Sequence, residues 1–437
     1  MILDVLIRFN LPLSQLRAQT YDGAANMSGR FRGCQAEIKK HQPLALFTTC
    51  AAHSTQLVVT KAVEEAEFLQ DALNRAQDVV ELYSQSGKFK SIYSSTIGCG
   101  EDEPVTPGSL RPICPTRWLT RAASIKSVLD NYQHILLSLR EASKTLGFGN
   151  SVSKRASNVH ANLAHWKCIL GLLAAKPIIE RLELLNKTLQ GRSMNFSAMK
   201  QNVAMVRGEL CDLRNEECFS AIYNQTVEMC ENLGLDPPSL PRQRKVPKRF
   251  ESGESAHHFS SSAMDLYRRQ FYAAIDVAVS NLDNRFDSED FRQLDSITDS
   301  LITGSVDEAI LNKYPELDMY QLDMQLQMYV HNYKRTTIAE HIQVFREMSP
   351  DVMRMFPQVK MLLKLALVSP TSSCEAERSF SALRRLKTWL RANTTQERLN
   401  SVAVCHVHRQ MTLELSDEDI AKEFVRGNTA RCCVFGK

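Results

Sequence analysis

The chain has 437 residues, 43% hydrophobic and 23% charged, a composition of globular proteins with room for two or three ordinary cores. Its formal net charge is only +4, so any nucleic-acid surface has to be a local patch and not a property of the whole molecule. The longest apolar run of the second half, Met361 to Val368, is too short to span a bilayer and carries Lys364, which argues against a membrane role.

The chain opens on a short helix with apolar positions Ile2, Leu3, Leu6 and Ile7. No basic flank precedes it and no small-residue cleavage site follows, so no signal peptide is expected. Twelve cysteines without a CxxC pair are then expected as reduced thiols of the cytosol or nucleus. Leu11-Pro-Leu13 breaks the helix, and a strand is predicted from Leu16 to Thr20. Tyr21-Asp-Gly follows, an acidic turn that puts Asp22 at the carboxyl end of the strand. Asn26 or Ser28 is expected to cap a helix running to about Lys40, ended by His41-Gln-Pro43. A second strand, Leu44 to Thr49, delivers Cys50-Ala-Ala-His53 to one long helix reaching about Gln85. Strand, acidic turn, helix, strand, helix is an α/β pattern.

From there on the periodicity is helical. A Gly- and Pro-rich loop, Gly98 to Pro115, precedes Thr116-Arg117-Trp118. Helical spans follow from about Ala122 to Ala142, Asn158 to Gln190 and Ser197 to Glu231. Asp236 to Arg249, with four prolines and five basic residues, reads as an extended solvated linker, and low structural signal continues to Ser262. Helices resume near Ala263, with further spans at 288–300, 317–333, 336–348 and 354–367. After Pro370, Thr371, Ser372 and Ser373 are cap candidates for a last strongly patterned helix, with Glu375 and Glu377 in its first turn, where the dipole favours negative charge. Ala376, Phe380, Leu383, Leu386 and Leu390 form one apolar stripe, with Arg378, Arg385 and Trp389 on a separate ridge.

Several constellations carry chemistry. Asp22 and Glu377 are candidates for a metal-binding carboxylate set of the kind that holds Mg²⁺ ions around a transferring phosphoryl group. Glu375 and Glu377, two residues apart on a helix, project about 200° apart and cannot pair with each other. Cys50 and His53 either ligate zinc, for which a second ligand pair is missing, or are a small buried thiol and a hydrogen-bonded imidazole. Cys405-His406-Val407-His408 is too tightly spaced for a standard zinc site. Arg117 and Trp118 either hold a phosphate and stack on an unpaired base or anchor a helix start. The basic run Arg242 to Arg249 reads as an import peptide, a phosphate-binding strand or a plain linker.

Four of these stretches, in this order, resemble the hAT superfamily of DNA transposases, and more narrowly its host-resident zinc-finger MYM-type-like and hAT-dimerisation-domain copies. Tyr21-Asp-Gly-Ala-Ala-Asn-Met27 resembles the second catalytic Asp motif, Cys50-Ala-Ala-His53 the CxxH motif, and Arg117-Trp118 the Arg-Trp of the helical insertion. Ser373-Cys-Glu-Ala-Glu-Arg-Ser-Phe-Ser381 is similar to the block with the catalytic Glu, inside the C-terminal dimerisation region.

The resemblance implies a predominantly α protein with an incomplete RNase H-like α/β core interrupted by a large helical insertion. Residues 1–53 would be partial core, 54–345 the insertion with the basic Pro-rich linker at 236–262, and 346–437 the returning helices, with dimerisation through about 340–410. It implies Asp22 as second and Glu377 as third metal carboxylate, Glu375 being the lesser alternative. His53, Arg117, Trp118 and Arg378 would face DNA, and Phe380, Leu383, Leu386 and Leu390 would dimerise. The family's first catalytic Asp lies well upstream of its second, whereas this sequence has 21 residues before Asp22 and only Asp4 among them is acidic. The first three strands and the DNA-reading zinc finger are therefore expected to be missing. The expectation is an inactive, nuclear remnant that self-associates, binds other nuclear proteins and binds nucleic acid weakly. It needs no cofactor, Mg²⁺ belonging to the ancestral enzyme. The alternative is an active hAT transposase whose gene model lacks its first exons. A zinc hydrolase built on Cys50 and His53 would need further ligands.

Overall fold

The computed structural model describes residues 2–97, 110, 120–145, 151–191, 194–240, 262–388 and 393–435. The chain divides into two compact units, Met1–Ser372 and Ser373–Lys437.

The first unit starts with helix α1 (Ile2–Arg8), a single 3-10 turn (Leu13–Gln15) and strand β1 (Ala18–Tyr21). Helices α2 (Ala25–Ser28) and α3 (Cys34–His41) lead to strand β2 (Leu46–Thr49). The strands are parallel, Ala18 opposite Leu46 through Tyr21 opposite Thr49, and parallel neighbours require a crossover, here the α2–α3 segment. Buried Gln19 ties that crossover down, its amide donating to the carbonyls of Gln35 (3.2 Å) and Ala45 (3.1 Å). Among the described residues the sheet has these two strands.

The single helix expected up to Lys40 is instead two, and neither Asn26 nor Ser28 caps it: both lie inside α2, while Gly33 precedes α3. The reason is a tight stack of two glycines. A Cβ on Gly33 would come within 2.4 Å of the Gly29 backbone, so the chain folds back where only hydrogen fits.

Beyond β2 lie α4 (Ala51–Glu65), α5 (Glu67–Gln85) and α6 (Gly87–Ile97). The expected continuous helix from 51 to 85 is broken at Ala66, which takes extended backbone angles (φ −117°, ψ 102°). Next come α7 (Arg121–Asp130), α8 (Tyr132–Thr145), α9 (Ser151–Leu163), α10 (Trp166–Leu189), α11 (Phe196–Leu213), α12 (Glu216–Leu233) and α13 (Ala263–Arg285). Each long span expected between 122 and 231 is thus two helices. Polar caps mark the restarts: His165 Nδ1 accepts from Lys167 N (3.1 Å) and Asn215 Oδ1 from Cys218 N (2.8 Å).

Helix α10 is the axis of this unit, with sixteen of its 24 residues buried. It packs against α4, α5, α7, α11 and α12. Gly171 lets it lie directly on α5: a Cβ there would be 2.4 Å from the Phe68 carbonyl oxygen and 2.5 Å from Ala72 Cβ. Ion pairs Arg207–Asp283 and Arg214–Asp276 (2.7 and 2.6 Å) bridge α11 to α13 on the surface, and Arg268 meets Glu216 of α12. Helices α14 (Glu289–Thr303), α15 (Glu308–Leu311), α16 (Met319–Asn332), α17 (Ile338–Glu347), α18 (Pro350–Met353) and α19 (Pro357–Val368) complete the unit. One apolar core runs through it from Leu46 to Ala366. Arg17 grips Glu316 with two hydrogen bonds (2.7 and 3.0 Å), tying the start of β1 to the α15–α16 connection.

The second unit holds α20 (Cys374–Leu386), α21 (Gln396–Val407), α22 (Arg409–Leu413), α23 (Asp417–Arg426) and α24 (Thr429–Phe435). Only Cys374 and Leu399 among its described residues are buried. The protein is predominantly helical, and among the described residues no helix is long and apolar enough to cross a membrane.

Candidate functional site

The carboxyl end of the small sheet gathers three segments of the first unit. Cys50 N donates to the Tyr21 carbonyl (2.7 Å), so the β1–β2 ladder continues into the turn that starts α4. The third segment is the end of the unit. The Pro370 carbonyl accepts from Thr20 Oγ1 (2.6 Å) and Thr48 Oγ1 (3.3 Å), and those two hydroxyls lie 2.7 Å apart. The Thr371 carbonyl accepts from Ala51 N (3.0 Å), and Thr371 Oγ1 donates to the Met194 carbonyl (3.4 Å). Residues 350 positions apart in the chain are thereby stitched together beside the predicted acidic turn. No sequence signal marked Thr20 and Thr48 as partners of Pro370, because hydroxyls in strands are common and the acceptor is a main-chain carbonyl.

Asp22 stands where the strand pattern put it, one residue past β1. Its Oδ1 accepts from Ala24 N (3.2 Å), a local turn bond that orients the carboxylate and leaves it half-buried. Gly23 meets the ring of His53, which α4 presents from its first turn; a Cβ on Gly23 would sit 3.4 Å from His53 Cδ2. The acidic turn and the CxxH helix start are thus in contact, although the chain separates them by thirty residues. Cys50 is fully buried at the joint. The neighbouring Tyr21 phenol is pushed well above its ordinary range by burial, then by its hydrogen bond with Cys34.

Glu375, Glu377 and Arg378 belong to α20 of the second unit. Arg378 Nη1 donates to Glu375 Oε2 (3.0 Å), and Ser373 Oγ donates to Glu377 Oε1 (3.3 Å). Of the expected caps, Ser373 is the one at the N-cap position, and its hydroxyl serves the Glu377 carboxylate in place of a backbone N–H. Phe380 (62%) and Leu383 (40%) are exposed, and Leu386 is half-buried. Leu390, Arg117, Trp118 and the basic run 242–249 lie outside the described residues. Among the described residues no three His, Cys, Asp or Glu side chains gather as they would around a metal ion.

Three likenesses to known proteins bear on this arrangement. The family model DUF4371, described as the ZMYM1/FAM200 RNase-like domain, matches residues 1–33, the stretch that holds β1 and the Asp22 turn. Over 426 residues the chain is 20% identical to the mouse protein named 52 kDa repressor of the inhibitor of the protein kinase, covering 92% of this chain and 54% of that protein. The human protein of the same name is also 20% identical, over 425 residues. The chain therefore spans about half the length of the curated relatives it matches.

Proposed function

We propose that the chain is a transposase-derived, non-enzymatic interaction module, acting in the nucleus, that self-associates through α20. One observation carries the reading. Phe380 and Leu383 stand exposed, with Leu386 half-buried beside them, on a unit in which only Cys374 and Leu399, of the described residues, are buried. A set of helices with so little interior leaves most of its apolar surface to be covered, and a second copy offers the same stripe in return. Arg384 and Arg385 flank the stripe, and Asp417, Glu418 and Asp419 open α23 of the same unit, so two copies also bring opposite charges.

The name of the relatives, a repressor, favours a regulatory role over DNA cutting. The RNase-like family match over Asp22 and the parallel β1–β2 pair favour an RNase H-like ancestry, with 1–53 as partial core, 54–345 as insertion and 346–437 as the returning region. In this reading Asp22 and Glu377 (or Glu375) are vestigial metal carboxylates. His53, Arg117, Trp118 and Arg378 supply weak nucleic-acid contacts, and other nuclear proteins are the remaining partners.

The test is light scattering on the full chain at micromolar concentration. A dimer that becomes monomeric in the double variant Phe380→Asp, Leu383→Asp, with the thermal midpoint kept, is the expected result. A monomeric native chain sinks self-association. Strand transfer on a nicked or hairpin DNA with Mg²⁺ or Mn²⁺ checks the other half of the reading, and turnover there would restore the active transposase.

A further inference from the structure

The crossover between β1 and β2 carries a pinched loop. Gly29 and Gly33 lie against each other, and the Gly29 carbonyl accepts from Gly33 N (3.0 Å) and from Gln35 Nε2 (3.2 Å). Two further bonds hold the neck. Ser28 Oγ donates to the Gly23 carbonyl (3.1 Å), and the buried Gln19 amide donates to the Gln35 carbonyl (3.2 Å). The base of the loop is thereby fixed to β1 and to the turn that follows it, and the tip residues Arg30, Phe31 and Arg32 point to solvent.

All three are exposed, Phe31 at 79%. The Arg30 guanidinium carbon is 5.9 Å from the centre of the Phe31 ring, at the outer limit of a cation–π contact. Among the described residues neither Arg30 nor Arg32 makes an ion pair or a side-chain hydrogen bond. The acids that meet the following helix are already answered, Glu37 by Lys40 (2.5 Å) and Asp290 by Lys39 (2.7 Å). The tip is therefore a local surplus of two positive charges around one bare aromatic ring, on a chain whose net charge is only +4. Such a ring adds nothing to the core, and the braced neck keeps it from folding inward.

We propose that the Arg30-Phe31-Arg32 tip binds single-stranded nucleic acid, with one unpaired base stacked on the Phe31 ring and the phosphates beside it held by the two arginines. A single strand alternates charge and flat ring along its length, and the tip does the same over three residues. A duplex keeps its bases stacked on one another and offers the ring none. An acidic peptide answers the arginines and leaves the ring without a flat partner. Every base has a π face, so the site tolerates any sequence, in DNA or RNA. The inference rests on the reading above only for the class of ligand, and it names a site separate from His53, Arg117, Trp118 and Arg378.

Fluorescence anisotropy of labelled deoxythymidine and uridine dodecamers, titrated with the full chain at about 50 and about 200 mM salt, tests the assignment. The expected result is binding of at least one strand, with an abasic strand of equal length and a DNA duplex both weaker. Phe31→Ala should weaken binding about 5- to 150-fold, the range of one stacked base, and Phe31→Leu should do the same because it keeps apolar area without a π face. Phe31→Trp should bind at least as well as the native chain. Arg30→Gln and Arg32→Gln should each lower the slope of log affinity against log salt by about 0.7. All these side chains are exposed, so the thermal midpoint should stay put. No binding, an abasic strand bound as tightly, Phe31→Leu equal to native, or polyglutamate competing as well as the oligonucleotide each overturns it, the last marking the loop as a dock for an acidic protein. Binding that survives Phe31→Ala but is lost in Arg378→Gln strikes this site and leaves the contacts proposed above standing, and self-association is read separately by light scattering.

Discussion

The ring of His53 rests on Gly23: a Cβ built on that glycine would lie 3.4 Å from Cδ2 and 3.5 Å from Nε2 of the imidazole. That distance is ordinary contact, and Gly23 is not at positive φ. Gly23→Ala is therefore expected to be neutral or to stabilise by up to about 1 kcal/mol through the unfolded chain. Gly23→Leu has no such room, must displace the imidazole, and is expected to cost about 1–3 kcal/mol. Urea unfolding of both variants separates the outcomes, and equal midpoints would show that the ring does not rest there.

Gly171 sets the opposite case. With the Phe68 carbonyl oxygen 2.4 Å from the position of a Cβ, Gly171→Ala forces α5 and α10 apart along a buried seam. The expected loss is about 3 kcal/mol, seen as a lower denaturation midpoint with unchanged slope. Gly208, exposed in the interior of α11 and with nothing within 4 Å of its Cβ position, is the control. Gly208→Ala should stabilise by about 1 kcal/mol, the difference in helix propensity.

Glu183 is buried, and burial, the leading influence on it, raises its pKa despite the two backbone N–H groups it accepts. A carboxyl raised in the fold stabilises at pH below its ordinary 4.5, and that contribution is lost as pH rises through the raised value. Glu183→Gln keeps an oxygen for the Arg121 and Ala122 N–H groups without a buried charge. It is expected to match or exceed the native stability at pH 7 and to fall behind it toward pH 4. Glu183→Ala leaves both donors unanswered and should cost about 1–3 kcal/mol at either pH. Melting curves at the two pH values decide it.

His341 is fully buried; its Nδ1 is 3.0 Å from the Tyr329 hydroxyl, and its Nε2 has no partner among the described residues. Burial lowers its pKa below 6.5, so its neutral form stabilises the fold above that pH. The contribution falls as pH drops from 6.5 through the depressed folded value, then levels off. His341→Leu should remove that acid-side decline, measured as the difference between stability–pH curves of variant and native chain. A parallel pair of curves would show that His341 is not the titrating group.

How much of this was legible in the residues can be judged element by element. Alternation and Gly-Pro punctuation placed β1, β2 and the Asp22 turn within two residues of where they lie, because a strand ending in Asp-Gly is a local signal. The helical period of about 100° per residue likewise marked α20. The breaks at Ala66 and at Asn131 carry neither Gly nor Pro: at Ala66 both halves, α4 and α5, pack on α10, whereas at Asn131 the chain turns from α7, which packs on α10, to α8, which packs on α6 and α9. The α2–α3 break was visible only as two glycines, and their mutual contact is what makes it a fold-back.

What the sequence determined alone was therefore the local: which segments are helix or strand, where the acidic turn falls, and which helix carries an apolar stripe. Only the tertiary structure decided that His53 covers Gly23, that Pro370 closes on Thr20 and Thr48, that Phe380 stays exposed, and that Glu183 reaches the start of α7. Backbone preference acts over a few neighbouring residues. Contacts between residues hundreds of positions apart depend on how whole helices pack, which no single stretch of chain encodes.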